Sequence, residues 1–199
     1  MKVVIEVGMN DGTDTERYLN QDDMILYGFE PTNSILAKLY KKFENEPRVN
    51  IIPLAVDAVN RFTDFNIGTF GHLEGGCNSF YNLNMDDEYI AGDTSVRFSS
   101  KQKVATIRLD NFCDLYGITK IDYIHIDAQG SDFNVLKSLG KYIDVVQEGV
   151  VEAAYNVSIY KDVDNTYTSI CNWLIDHGFS YELTPDHADR EANIYFKRL

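Results

Sequence analysis

Positive charge is scarce in this chain. Eighteen Lys and Arg stand against 31 Asp and Glu in 199 residues, a formal net charge of −13 at pH 7. Such a surface repels phosphate backbones and anionic membranes, so general nucleic-acid binding is excluded as a reading. Cysteine is also rare. Cys77, Cys113 and Cys171 are odd in number and widely spaced, which signals neither a disulfide framework nor a zinc cluster. They read as reduced thiols in a cytoplasmic setting. No apolar run approaches the roughly 18 residues of a membrane span, and no hydrophobic signal region follows Met1-Lys2, so no membrane insertion is expected. His72, His177 and His187 lack metal-ligand spacing. Internal repeats, low-complexity tracts and interdomain linkers are missing as well.

What remains suits one globular domain spanning 1–199. The hydrophobic share is 44% and the aromatic share 13%, and a chain of this length buries a sizeable core. A strand beginning at residue 3 leaves no room for leading helices, as in a domain excised from a longer protein. Apolar runs at residues 3–7, 25–29, 49–56, 121–126 and 145–153 read as strands. Segments with helical spacing at 13–19, 34–43, 110–116, 131–139 and 166–177 alternate with them. That order predicts an α/β fold with a parallel sheet.

Two stretches depart from plain alternation. Residues 61–103 scatter glycines among aromatics without helical period, which predicts an inserted loop or β-hairpin before a strand at 104–109. At the end of the chain, runs at 180–183 and 193–197 predict an antiparallel hairpin turning at Pro185-Asp186.

The first strand leads into the turn "GMNDG". It lacks the three-glycine dinucleotide fingerprint and the lysine of a phosphate-binding loop, so on its own it is compatible with an ordinary strand-to-helix turn. The second strand adds weight. It ends "YGFEP", with Glu30 about twenty residues after the glycine turn, where an acid accepts the hydroxyls of a ribose. The alternative is a solvated Glu ahead of a helix started by Pro31. The paired spacing favours a nucleoside cofactor.

In order along the chain, "VIEVGMNDG", "YGFEP", "IPLAVD", "NSFY", "TIRLDNF" and "IDYIHIDAQGSDFNVLKSLG" resemble the FkbM family of S-adenosylmethionine-dependent methyltransferases. The resemblance implies the Rossmann-like class I methyltransferase fold: a seven-stranded, mostly parallel sheet with an antiparallel C-terminal strand and helices on both faces. It also implies cofactor roles. Glu6, Gly8, Asn10, Asp11 and Gly12 stand at the loop for the methionine portion, Glu30 and Pro31 at the ribose, and Asp57 and Ala58 near the adenine. Asn78 and Ser79 stand on the inserted segment within reach of the cofactor, and Asp127 and Ala128 follow the fourth strand of the family pattern.

The chain departs from that pattern in one motif. His125 stands where the family usually has Lys, and "DAQG" replaces an Asp-Val-Glu-Gly run, with Gln129 at the Glu position. A neutral amide is a poor base and a poor hard-cation ligand, so no metal site is expected. The candidate bases are Asp127, then Glu152, then His125; Asp127 alternatively binds the cofactor's ammonium or caps the helix at Ser131. Tyr160, Tyr167 and Trp173 read as packing residues.

The function implied is O-methylation of a sugar, glycan or small natural product, as in polysaccharide biosynthesis, by an enzyme fused to or working with glycosyltransferases. With no helices ahead of the first strand, the acceptor pocket is expected to be more open than is usual for the family. Two alternatives stay open from sequence: a nucleotide-sugar-binding or oxidoreductase domain on the same architecture, and a catalytically silent cofactor-binding module.

Overall fold

The β-branched run KVVIEV forms β1 (Lys2–Val7), a central strand of a seven-stranded sheet. The computed structural model describes residues 1–21, 23–71, 73–92, 95–157, 159–186 and 190–199; His72 and His187 lie outside them. After β1 come α1 (Thr13–Tyr18), β2 (Met24–Phe29), α2 (Asn33–Lys42), β3 (Val49–Ile52) and β4 (Ala55–Val56). The inserted segment contributes β5 (Phe62–Phe70), β6 (Leu73–Glu74), α3 (Glu88–Gly92) and β7 (Val96–Ile107). Then follow α4 (Leu109–Tyr116), β8 (Ile121–Ile126), α5 (Asp132–Ser138), a 3-10 turn over Gly140–Val145, β9 (Val146–Ala154), α6 (Tyr167–Asp176), β10 (Phe179–Asp186) and β11 (Glu191–Arg198).

The large sheet runs β10-β11-β9-β8-β1-β2-β3. Its central pairs are parallel, while β11 lies antiparallel to both β9 and β10. From β1 the chain winds outward through β2 and β3, then returns to lay β8 on the other side of β1. That reversal opens a crevice beyond the carboxyl ends of β1 and β8, the position where such sheets bind ligands.

Period-two alternation decides which face each side chain takes. Ile5, Val7, Ile124, Ile126, Val151 and Ile194 face a core closed by Phe112 of α4, Leu136 of α5 and Leu174 of α6. Val4, Met24 and Leu26 face the other way, under Ile35 and Leu39 of α2. The spacing of Ile35, Leu36 and Leu39 gives that helix its buried stripe. All three cysteines are free and buried, and burial pushes the Cys77 thiol up to about 11.

Several expected boundaries shift for physical reasons. The run 49–56 is two strands in two sheets, because Pro53 has no N–H to donate and the chain turns there; β3 joins the large sheet and β4 pairs with β7. The insertion is a hairpin arm built on β5 and β7, with a bulge between Ile67 and Gly68. The strand expected at 104–109 is the end of the longer β7, and Leu109 already opens α4. Pro185 and Asp186 belong to β10, in register with Ala192 and Glu191, and not to the turn expected there; β10 is an edge strand, where a proline is tolerated.

Candidate active site

At the end of β1 the backbone bends sharply. Gly8 has φ +90°, and a Cβ there would sit 1.9 Å from the carbonyl oxygen of Asp127. The amides of Gly8 and Met9 both donate to Phe29 O, at 3.0 and 3.1 Å, and Asp127 N donates to Val7 O at 3.0 Å. The ends of β1, β2 and β8 are thereby tied together.

Glu30 supports the turn from the next strand. Its carboxylate accepts from Asn10 N at 3.2 Å and from Thr32 N at 2.8 Å, and only 5% of the residue is exposed. Burial raises its pKa above the ordinary carboxylate value. Beside it opens a pocket of about 550 Å³, mouth included. Gly8, Asn10, Glu30 and Asp127 form its polar edge, and Phe29, Leu54, Phe65 and Phe80 an apolar wall.

The inserted arm supplies part of that wall and is stitched to the main sheet. Asn78 accepts from Gly68 N at 2.8 Å and donates to Thr32 Oγ1 at 2.9 Å. Ser79 Oγ donates to the carbonyl of Gln129 at 2.7 Å. Gly75, at φ +84°, lets the arm approach α2, since a Cβ there would meet Ile35 Cδ1 at 2.4 Å.

The turn after β8 is built by Asp132. Its carboxylate accepts from the amides of Ala128 and Gly130 and from Asn165 Nδ2 at 2.8 Å. Gln129 is held at φ +49°, and its side chain bridges three groups. Nε2 donates to Asp127 Oδ1 at 2.8 Å and to Glu152 Oε2 at 3.1 Å, while Oε1 accepts from Tyr160 Oη at 2.7 Å. Burial first, then the neighbouring Asp127 carboxylate, push Glu152 well above its ordinary pKa.

The family model for the methyltransferase FkbM domain matches residues 6–181. The chain belongs to the FkbM methyltransferase family. S-adenosylmethionine is the methyl donor of that family. The chain is 26% identical over 135 residues to 2-O-methyltransferase NoeI of Sinorhizobium fredii, which covers 67% of the chain but only 56% of that relative's length. Among solved structures it resembles the Streptococcus mutans protein SMU.1697c in complex with SAH (TM-score 0.56, 11% identity, covering 100% of the chain and 89% of that one). It also resembles Aeropyrum pernix fibrillarin with bound S-adenosyl-L-methionine (TM-score 0.56, 10% identity, covering 98% of the chain and 66% of that one). The fold is the class I methyltransferase sheet, in which the antiparallel strand is the last one, β11.

The residues of this FkbM chain fit such a donor. Carboxylates at Glu30 and Asp127 suit a molecule bearing a ribose diol and cationic groups, and the aromatic wall suits its base. Gly8, Asn10, Glu30, Pro31, Asn78, Asp127 and Ala128 all line the cavity. Other predicted positions lie outside its lining. Glu6 is buried behind the turn, accepts from Thr15 Oγ1 at 2.6 Å, and is pushed up to about 8, chiefly by burial. Asp11 turns outward to accept from Thr13 N, and Gly12 caps α1 against the Phe43 ring. Asp57 is occupied by Arg61 and by Ala58 N, at 2.8 and 2.7 Å, and Ser79 by Gln129.

The candidate bases come together in part. Asp127 and Glu152 share Gln129, whereas His125 lies lower on β8 with Nδ1 2.9 Å from Tyr18 Oη. Burial lowers the His125 pKa. Asp132, not Asp127, holds the start of α5. Sequence reasoning missed Asp132 and the apolar wall of Phe65 and Phe80, and it read Tyr160 as packing alone. For Asp132 a signal was present, an acid at the helix start after a glycine. Tyr167 stacks obliquely on Tyr155, and Trp173 stacks on His177 with centroids 3.9 Å apart.

Proposed function

We propose that this protein is an S-adenosylmethionine-dependent O-methyltransferase acting on a hydroxyl of a sugar, glycan or related small molecule. The observation that carries the reading is the cavity at the switch point, with the buried Glu30 carboxylate on one edge, Asp127 on another and an aromatic wall between them. Family membership and the similarity to a 2-O-methyltransferase support the same chemistry. The acidic balance of the chain favours a neutral acceptor over a polyanion, and activity beside glycosyltransferases fits that acceptor class.

S-adenosylmethionine supplies, when bound, a methyl group already activated by its positive sulfur. The protein's part is to orient, to exclude water and to take one proton. In this reading Gly8, Asn10, Asp127 and Ala128 border the methionine portion, Glu30 and Pro31 the ribose, and Phe65, Phe80 and Leu54 the base. A carboxylate oxygen of Asp127 or Glu152 receives the acceptor hydroxyl's proton. Asn78, Ser79, Asp11, Gly12, Glu6, Asp57 and Ala58 support the loops around the cofactor.

Calorimetry tests the cofactor directly. S-adenosylmethionine should bind and NAD should not, and Glu30→Ala should weaken binding by about 1–3 kcal/mol, since it also frees the amides of Asn10 and Thr32. Unchanged affinity in a folded Glu30→Ala variant would remove the ribose role.

No metal is assigned a part. The amide of Gln129 already donates to both Asp127 and Glu152, and a neutral amide is a poor ligand for a hard cation. Chelator treatment is therefore expected to leave turnover intact. Loss of activity that magnesium or manganese restores would show the opposite.

A further inference from the structure

On one face of the large sheet α2 covers β1 and β2, and Tyr18 of α1 packs on Tyr123 and His125 of β8. Beyond β8 and the buried Val150 of β9, the same face is open: Tyr195 is 47% exposed, and Glu148, Lys197, Ser180 and Glu182 are exposed as well. Strand register aligns the side chains across it. His125, Val150 and Tyr195 form one row; Tyr123, Glu148 and Lys197 form the next; Glu152 pairs with Asn193 at the crevice end.

Two hollows lie on this face and meet at Tyr123 and Tyr195. The first, about 860 Å³ with its open mouth included, begins at Asp127 and Glu152 and is walled by Tyr18 of α1. The second, about 680 Å³ with its open mouth included, continues past Ser180 and Glu182 on the edge strand. Three strand spacings from β8 to β10 make a groove about 14 Å across the sheet.

The lining decides what such a groove takes. A packed helix or an apolar peptide needs an aliphatic surface, yet the hollow next to Asp127 has Val150 as its one aliphatic residue. An anionic polymer would meet Asp127, Glu152, Glu148 and Glu182. The cations are drawn into local pairs, Arg17 with Asp14 and Lys197 with Glu148. Tyrosine faces, an amide and carboxylate acceptors together suit a neutral ligand with apolar ring faces and many hydroxyls.

We propose that this groove holds the methyl acceptor as an extended neutral oligosaccharide, its rings stacked on Tyr123 and Tyr195 and its reactive hydroxyl at Asp127 and Glu152. The inference rests on the methyl-transfer reading above and adds to it a requirement for chain length. A single sugar fills only the Asp127 end; further units gain contacts along β9, β11 and β10.

The test uses the intact chain with S-adenosylmethionine and defined neutral oligomers of glucose, mannose, xylose and N-acetylglucosamine, from monomer to hexamer. Affinity and KM should improve with length for at least one series. Tyr195→Ala should raise KM for the tetramer about tenfold and abolish the gain from monomer to tetramer, while Tyr195→Phe, which keeps the ring, should restore it. Length-independent affinity in every series, or a length dependence that survives both Tyr195→Ala and Tyr123→Ala, overturns the inference. Cofactor binding is measured separately. Its failure in the unaltered chain would strike the methyl-transfer reading, and its presence with no length effect would strike the groove alone.

Discussion

Gly8→Val is expected to abolish S-adenosylmethionine binding. The φ of +90° is unfavourable for any side chain and worst for a β-branched one. The obstruction is backbone and cannot swing away: a Cβ would stand 1.9 Å from Asp127 O and 3.0 Å from Asp127 C. Relief requires the ends of β1 and β8 to part, which breaks the Asp127 N to Val7 O bond and moves the cavity's Asp127 edge. Part of the cost appears as lost stability, so circular dichroism and thermal melting must accompany calorimetry. The decisive result is a folded variant with no binding heat; a folded variant with native affinity would show that the turn does not border the cofactor.

The second large effect concerns the proton. Replacing a positioned base is expected to lower kcat by roughly 10²–10⁴-fold. Glu152→Gln keeps shape and should leave cofactor affinity in place, because Glu152 lines the acceptor side and not the 550 Å³ cavity. Asp127→Asn should lose turnover and some cofactor affinity together, since Asp127 lines both. The pH profile adds a sign. Glu152 has a raised pKa, so at low pH it is protonated and cannot accept a proton; activity should rise with pH along a limb well above the ordinary carboxylate range of about 4. Glu152→Gln should erase that limb. If both carboxamide variants turn over normally, the base is elsewhere, with His125, held by Tyr18, the next candidate.

Gln129 explains why these two carboxylates tolerate one another. Its amide supplies donors to both, and Tyr160 fixes which way the amide points. In sequence this residue reads as the loss of an acid. In the structure it is a bridge.

The parallel order of strands was legible because the apolar runs of β1, β2, β8 and β9 are bounded by clear helical spacing. The terminal hairpin was legible from its two alternating runs. Pro53 was the sign that residues 49–56 could not stay one strand, but periodicity alone does not say that two strands of one run join different sheets. The reach of β5 and β7 was hidden because their long, partly solvated arm carries mixed polar residues with no clean alternation. The positions of Glu30 and Asp127 on the cavity edge were readable from the ends of strands in a fixed order. Phe65 and Phe80 were not, since only tertiary folding of the inserted arm brings them to the cavity that Phe29 lines. The open sheet face was likewise invisible: Tyr123, His125 and Tyr195 lie far apart in sequence and become neighbours through strand register alone.

The central claim is that this chain moves a methyl group from S-adenosylmethionine to a carbohydrate hydroxyl. Incubation with methyl-deuterated S-adenosylmethionine and the neutral oligomers, followed by mass spectrometry, tests it most directly. The account predicts one labelled methyl ether on the oligomer, formed in step with S-adenosylhomocysteine and lost with Glu152→Gln. Unlabelled oligomers in the presence of a chain that binds the cofactor would contradict it.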